Sequence, residues 1–369
     1  MFKFPIVVSA DWHIGRVGYG KIDPVTGLHT QTQQIIWAAS QMVDSLLARH
    51  IEHVFVVGDL FHKRNPSSMD WEALNMILDL FIKAKIHVHI SPGNHEDLTT
   101  YTTALTPLTH ARNPYIDMVF DTKSFKDELN KVELIMFSYT SKRWTKDKRS
   151  FSDIIEALPA KSTEKRICLC HEMIDGACAN NKVFKAPLSP KVLSKHFDLV
   201  VAGDVHRYQQ VAHGVLYCGP IVHMDFGDRD IKPGYVVLNY QPNTIQSLEF
   251  ILSSLHVPIK TRDFYQLSGD AASMWKELQE LPYLDNVVKL IVTDTALNIS
   301  KFSKQIKDLP KDNTVIIVEA HPIKLNRVRK QMDTGSDYRS QYTAYMKGDF
   351  DQDVISLGKS ILEEACHEA

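Results

Sequence analysis

Asp11, His13, Asp59, Asn94, His95, His171, Asp204 and His206 are the side chains of this sequence whose types and settings could do chemistry. They stand in the frames Asp-x-His, Gly-Asp, Gly-Asn-His-Glu, His and Gly-Asp-x-His, and the frames follow short apolar runs. Carboxylate and amide oxygens together with imidazole nitrogens are ligands for divalent cations, and several strand ends delivering them suggest one two-metal site. A mixed oxygen and imidazole set favours Mn²⁺, Fe or Zn²⁺ over Mg²⁺, which keeps its waters and prefers oxygen. Taken singly, each of these residues has an ordinary reading, because a strand-end Asp often caps a turn and a lone His is usually a satisfied surface or core group.

The elements that must position them are legible from pattern. Val54-Phe55-Val56-Val57 reads as a buried strand ending at Gly58-Asp59, Ile6-Val7-Val8-Ser9 leads to Asp11, and Ile86 to Ile90 leads to Gly93-Asn94-His95-Glu96. Between them, apolar residues recur at helical spacing over 31–49 and 69–83, so the start of the chain predicts β-α-β-α-β, a parallel sheet with helices on its faces. The loop from Gly15 to Thr30 is too polar for core and is expected to cover the site. Trp12, between two ligand candidates, is either a wall of the pocket or a platform for a stacked base. Shorter strands over 115–139 predict a second, mixed sheet packed on the first, and strands ending at His171 and at Gly203-Asp204-Val205-His206 belong to it.

The run 142–149 holds five basic residues against one acidic and a tryptophan, which suits phosphate contact with stacking and equally a solvated loop. Past Leu252 the pattern becomes strand, helix, strand, helix, strand without ligand clusters, the mark of a small α+β domain. From 349 onward six acidic residues against one Lys accompany Val354, Ile355, Leu357, Ile361 and Leu362, an amphipathic helix suited to docking a partner.

With 369 residues, 44% of them hydrophobic, the chain can bury a large core and exceeds one typical domain. A net charge of −2 exerts no global pull on nucleic acid, so any DNA contact must come from local basic patches. Five cysteines, odd in number and without a CxxC pair, argue against a disulfide framework or a structural zinc cluster and fit a reducing cytoplasm. Cys168 and Cys170 alternate on a strand as buried thiols. No signal sequence or membrane span is legible, so a cytoplasmic protein is expected, in the host cytoplasm if a phage encodes it.

Taken together, the eight residues in this order resemble the calcineurin-like metallophosphoesterase superfamily. The resemblance implies an α/β fold, a β-sandwich flanked by helices, and two divalent cations sharing one Asp in a clamp for in-line displacement. Gly58-Asp59-Leu60-Phe61-His62-Lys63-Arg64-Asn65-Pro66-Ser67, the run from His171 to Ala177, Tyr217-Cys218-Gly219-Pro220 and the run from Lys232 to Leu238 are similar to SbcD-type DNA double-strand-break repair nucleases. That likeness spans roughly residues 5–240, and a compact prokaryotic or phage-encoded recombination nuclease subunit is the form it suggests.

The resemblance implies a nuclease domain over 1–255, a small α+β capping, DNA-binding domain over 256–335 and a C-terminal helical ATPase-binding segment over 336–369. It implies one metal held by Asp11, His13, Asp59 and His206 and another by Asp59, Asn94, His171 and Asp204, with Mn²⁺ the expected ion. By the same resemblance His95 protonates or stabilises the departing 3′ oxygen and His62 positions the scissile phosphate. The implied partners are double- and single-stranded DNA and an SbcC-type coiled-coil ATPase, with a homodimer inside a heterotetramer for which the helix faces near Met42 to Leu47 and Leu74 to Phe81 either supply a seam or are buried against the sheet. The implied activity is 3′-5′ exonuclease with single-strand endonuclease.

One position departs from the pattern. Where the family writes Gly-His-x-His, this chain has Gly203-Asp204-Val205-His206. Three carboxylates against two divalent cations leave about +1 rather than +2 at the site, which holds metal harder and weakens it as a Lewis acid. A small-molecule phosphodiesterase or protein phosphatase is the enzymatic alternative. A catalytically silent adaptor of the ATPase is the other.

Overall fold

The computed structural model describes residues 2–97, 103–110, 113–128, 130–139, 150–159, 165–179, 182–242, 250–281, 286–307, 309 and 314–323. The basic run 142–149 and the expected docking segment 336–369 lie outside the described residues.

The first half of the chain runs β1 (Ile6–Ser9), α1 (Thr30–Ala48), β2 (His53–Val57), α2 (Ser68–Lys83), β3 (His87–Ser91) and β4 (Ile116–Met118). It continues through β5 (Thr122–Asp127), β6 (Val132–Phe137), α3 (Phe151–Glu156) and β7 (Lys165–His171). A small hairpin of β8 (Cys178–Ala179) and β9 (Lys182–Val183) precedes α4 (Pro190–His196), β10 (Leu199–Gly203), β11 (Gln209–Ala212) and β12 (Val215–Tyr217). Finally β13 (Gly234–Pro242) and β14 (Phe250–Pro258) return to the first sheet, whose order is β14-β13-β1-β2-β3-β4. The second sheet has the order β11-β12-β10-β7-β6-β5.

Period-two alternation sorts the strands' side chains into layers. Val7, Val54 and Val56 pack outward on Ile35, Met42, Leu74, Ile77 and Phe81 of α1 and α2. Their neighbours Ile6, Val8, Phe55 and Val57 face the other way and meet Leu134, Ile167, Leu169 and Val201 of the second sheet. Cys168, Cys170, Val200 and Ala202 in turn face Ile155 of α3 and Leu193 of α4. The result is a helix-sheet-sheet-helix stack, and strands apolar on both faces are what it requires. Helices therefore cover only one face of the first sheet, not both as its β-α-β pattern suggests, because the second sheet occupies the other.

Burial decides two further points. The expected dimer seam residues Met42, Val43, Leu46, Leu74, Ile77, Leu78 and Phe81 are buried in the chain's own core, while Trp37, Leu47, Met69 and Met76 are the exposed apolar side chains of α1 and α2. The loop before α1 is not purely a surface cover either: Leu28 is buried in the core, and the Tyr19 ring packs edge-on against Phe226 and Phe264.

Beyond Pro258 the chain forms β15 (Phe264–Gly269), α5 (Ala271–Glu280), β16 (Val287–Asp294), α6 (Ala296–Lys307) and β17 (Val315–Pro322) around Met274, Leu278, Leu290, Val292 and Phe302. The unit is all-parallel, in the order β15-β16-β17, rather than α+β. Parallel neighbours need a crossover, and α5 and α6 supply it. β14 itself runs across the domain boundary expected at 255.

Candidate metal centre

Every candidate ligand sits just past or at the C-terminal end of a parallel strand. β1, β2 and β3 run parallel in one sheet and β7 and β10 in the other. Their ends converge on one edge of the sandwich.

The turns there are tight. Asp11, His13, Asp59 and Asp204 all have left-handed backbone, with φ of 55°, 50°, 53° and 92°. Non-glycine residues adopt this region rarely, and such strain clusters at functional sites. The hydrogen bonds His13 N to Asp59 O at 2.9 Å and Asp11 N to Gly58 O at 3.2 Å hold the first two turns side by side. Gly58 and Gly93 are needed for close approach, because a Cβ on Gly58 would enter the His171 ring and one on Gly93 would enter Asp59.

His171 ties the two sheets together: buried, its Nδ1 donates to the Val57 carbonyl at 2.9 Å. That leaves Nε2 facing Asp59 Oδ1 at 3.4 Å, Asp204 Oδ1 at 3.8 Å and the Asn94 amide at 3.0 Å. On the other side His13 Nε2 lies 2.9 Å from His206 Nε2 and 3.6 Å from Asp59 Oδ2. Asp59 thus stands between two nitrogen groups, as a shared ligand must. Asp11, His13 and His206 form one cluster with metal-ligand spacing, Asp11, Asp59 and His171 a second, and His13, His62 and His95 a third.

Several features fit a cation here. Asp11 Oδ2 is buried with no hydrogen-bond partner among the described residues. The Asn94 amide oxygen faces only acceptors, an arrangement that a turned amide or a cation relieves. Burial alone would strip charge from these imidazoles, yet Asp59, Asp11 and Asp204 hold His171 well above its ordinary pKa. His206 is likewise raised to about 9, against burial, by Asp228 and Asp11. Burial pushes the Asp11 carboxyl up to about 6, whereas Asp59, despite burial, is drawn below the usual carboxylate range by His171, His13 and His95. Burial raises Asp204 as well, and it drives His13 well below its ordinary value with help from His206. The carboxylates gather positive charge onto whatever neighbour can carry it.

Sequence reasoning passed over two carboxylates. Glu96 is completely buried and accepts the backbone N–H groups of Asp59 at 3.1 Å, Phe61 at 2.6 Å and Gly93 at 2.7 Å, so it binds the second and third turns together. Burial, then Asp59, raises it to about 8. Its place three residues after Gly93 was the available signal. Asp228 lies 3.8 Å from His206 Nδ1 and accepts from Met224 N at 2.9 Å, a link that only tertiary structure makes.

His95 and His62 stand at the rim. His95 Nδ1 donates to the His62 carbonyl at 2.7 Å, which leaves Nε2 facing the centre, 3.8 Å from Asp59 Oδ2. His62 stacks on His95 at 5.2 Å and is lowered to about 4 by burial and then by Arg16. Trp12 is neither wall nor platform: it is 1% exposed, its Nε1 donates to Ser9 Oγ at 2.8 Å, and it stacks on Phe81 in the core.

A family model of the calcineurin-like phosphoesterases matches residues 4–208, which contain every candidate ligand. The chain belongs to the calcineurin-like phosphoesterase family. Its fold and clustered ligands are accordingly those of a metal-dependent phosphoesterase, a hydrolase that uses divalent ions. Among solved structures it is similar to a dimetal phosphatase from Danio rerio at 11% identity and TM-score 0.42, over 70% of this chain and 99% of that one. It is also similar to a purple acid phosphatase from yellow lupin (Lupinus luteus) seeds at 14% identity and TM-score 0.42, over 70% of this chain and 52% of that one. Among the described residues no helix is long and apolar enough to cross a membrane.

Proposed function

We propose that this phosphoesterase is a manganese-dependent DNA nuclease, a 3′-5′ exonuclease and single-strand endonuclease that processes double-strand ends in repair, recombination or replication with an SbcC-type coiled-coil ATPase. The observation that carries DNA over a small phosphoester is the aromatic junction Tyr19, Phe226 and Phe264, with ring centroids 5.1 to 5.4 Å apart. It seats the β15-β16-β17 unit beside the catalytic edge, and an extended substrate has use for a second unit there where a small one has none. The run from Gly58 to Ser67, similar to the SbcD type, supports the same reading.

In this reading Asp11, His13, Asp59 and His206 hold one divalent ion and Asp59, Asn94, His171 and Asp204 the other. The pair, when bound, supplies Lewis acidity and a nucleophile at neutral pH. His95, fixed through Nδ1, presents Nε2 to protonate the departing 3′ oxygen. His62, kept neutral, positions the scissile phosphate by hydrogen bonding rather than by charge. Glu96 holds the turns of Asp59 and His95 in register. The acidic segment 349–369 docks the ATPase, and a homodimer forms through the exposed Trp37 and Met76 rather than through the buried helix faces.

The test is cleavage of linear duplex DNA, single-stranded DNA and bis(p-nitrophenyl) phosphate with Mn²⁺, against an EDTA control. Cleavage of DNA, slow on duplex ends until a coiled-coil ATPase is added, is expected. Turnover of the chromogenic diester with no cleavage of any DNA, with or without such an ATPase, replaces the nuclease by a small-molecule phosphodiesterase. Light scattering at micromolar concentration checks the dimer, which Trp37→Glu should dissociate.

A further inference from the structure

A cavity of about 580 Å³ opens beside Asp204 and His206, and its size falls within the ~300–1,000 Å³ of pockets that take small organic groups. Half-buried Met173, Phe184 and Phe226 supply apolar wall. Its charged residues are mostly committed elsewhere. Asp225 accepts from Arg16 at 2.7 Å, Asp228 accepts from Met224 N at 2.9 Å, and Arg229 pairs with Asp230 at 3.6 Å while donating to the Phe226 carbonyl at 3.0 Å. Arg207 is the exception: half-buried on the wall, directly after His206, its guanidinium has no ion pair or hydrogen bond among the described residues.

A guanidinium is a planar fork of donors matched to phosphate oxygens, and one that stands on a cavity wall without a protein partner is free to engage a ligand's phosphate. We infer that this cavity binds the nucleotide next to the scissile bond, with Arg207 on its phosphate and Phe184 and Phe226 against its ring system. The inference rests on the DNA reading and adds a specificity site to it. Aromatic faces accept any base, so the pocket selects a nucleotide chain over a simple diester without selecting sequence.

The experiment compares wild type, Arg207→Ala, Arg207→Lys and Phe184→Ala on single-stranded dT10 and on bis(p-nitrophenyl) phosphate with Mn²⁺. Binding of fluorescein-labelled dT10 in EDTA is followed by anisotropy in parallel. Arg207→Ala should raise KM for dT10 by roughly tenfold or more, the worth of one charge-assisted hydrogen bond, and weaken metal-free binding similarly. Its kcat and KM on the chromogenic diester should stay within about twofold of wild type, and Arg207→Lys should recover part of the loss. Phe184→Ala should weaken dT10 binding without changing diester turnover. If wild type cleaves dT10 and Arg207→Ala does so with unchanged KM and binding, the pocket assignment falls while the nuclease reading stands. Equal losses on both substrates would make Arg207 a structural support and also overturn it. Should wild type turn over the diester yet neither bind nor cleave dT10, both readings fail together.

Discussion

His13 and His206 lie 193 residues apart in the chain and meet Nε2 to Nε2 at 2.9 Å. Two ring nitrogens at that distance need a proton between them or a cation in front of both. We expect the second, because Asp11 Oδ2 is buried beside them without a hydrogen-bond partner among the described residues. His206→Ala should therefore reduce the number of tightly bound Mn²⁺ from two to one. Metal analysis after gel filtration, with circular dichroism to show an intact fold, checks it.

His95 and Asp204 should fail in different ways. His95 is placed on the leaving-group side and is not among the proposed ligands, so His95→Ala should keep both metals and lose about 10²–10⁴-fold in turnover. Asp204→Ala should lose affinity for one metal, and higher Mn²⁺ should rescue part of its rate. Asp204→His should stay active with an altered metal preference. An unchanged calorimetric affinity in Asp204→Ala would remove Asp204 from the ligand set.

Glu96 gathers three backbone N–H groups in a fully buried place. Glu96→Ala leaves them without an acceptor, which should cost on the order of 3 kcal/mol of stability. Glu96→Gln keeps one acceptor oxygen and should lose less. Urea unfolding of the two variants gives the order, and Mn²⁺ affinity should fall in the same order because the Asp59 turn loosens.

His53 is buried between β1 and β3, hydrogen-bonded ring to ring with His89 at 3.1 Å, and burial and then His89 lower its pKa to about 3. In the unfolded chain it titrates near 6.5, so the unfolded state binds the proton first. The neutral form's contribution is complete above about pH 6.5 and is lost as pH falls toward 3, at up to about 1.4 kcal/mol per pH unit. His53→Phe should flatten the urea midpoint against pH over that window. An acid limb identical to wild type would assign the loss to other groups.

The sequence by itself determined the strands, the helices between them and the residues at the strand ends, because side-chain alternation and helical period are local properties written every two or four residues. Asp11, Asp59, Asn94 and His171 were legible as ligands for that reason: each closes an apolar run. What only the tertiary structure decided was which of these ends meet. His171 reaches the first sheet because its Nδ1 finds the Val57 carbonyl, and His206 faces His13 because two sheets stack with their parallel strands ending on one edge. Trp12 turned inward to Phe81, and the apolar faces of α1 and α2 closed on their own sheet, since burial against the nearest apolar surface wins over any more distant use. Asp228 and Arg207, the latter unpaired among the described residues, had no local signature, because a carboxylate or guanidinium acquires its role from the partners that folding brings or withholds.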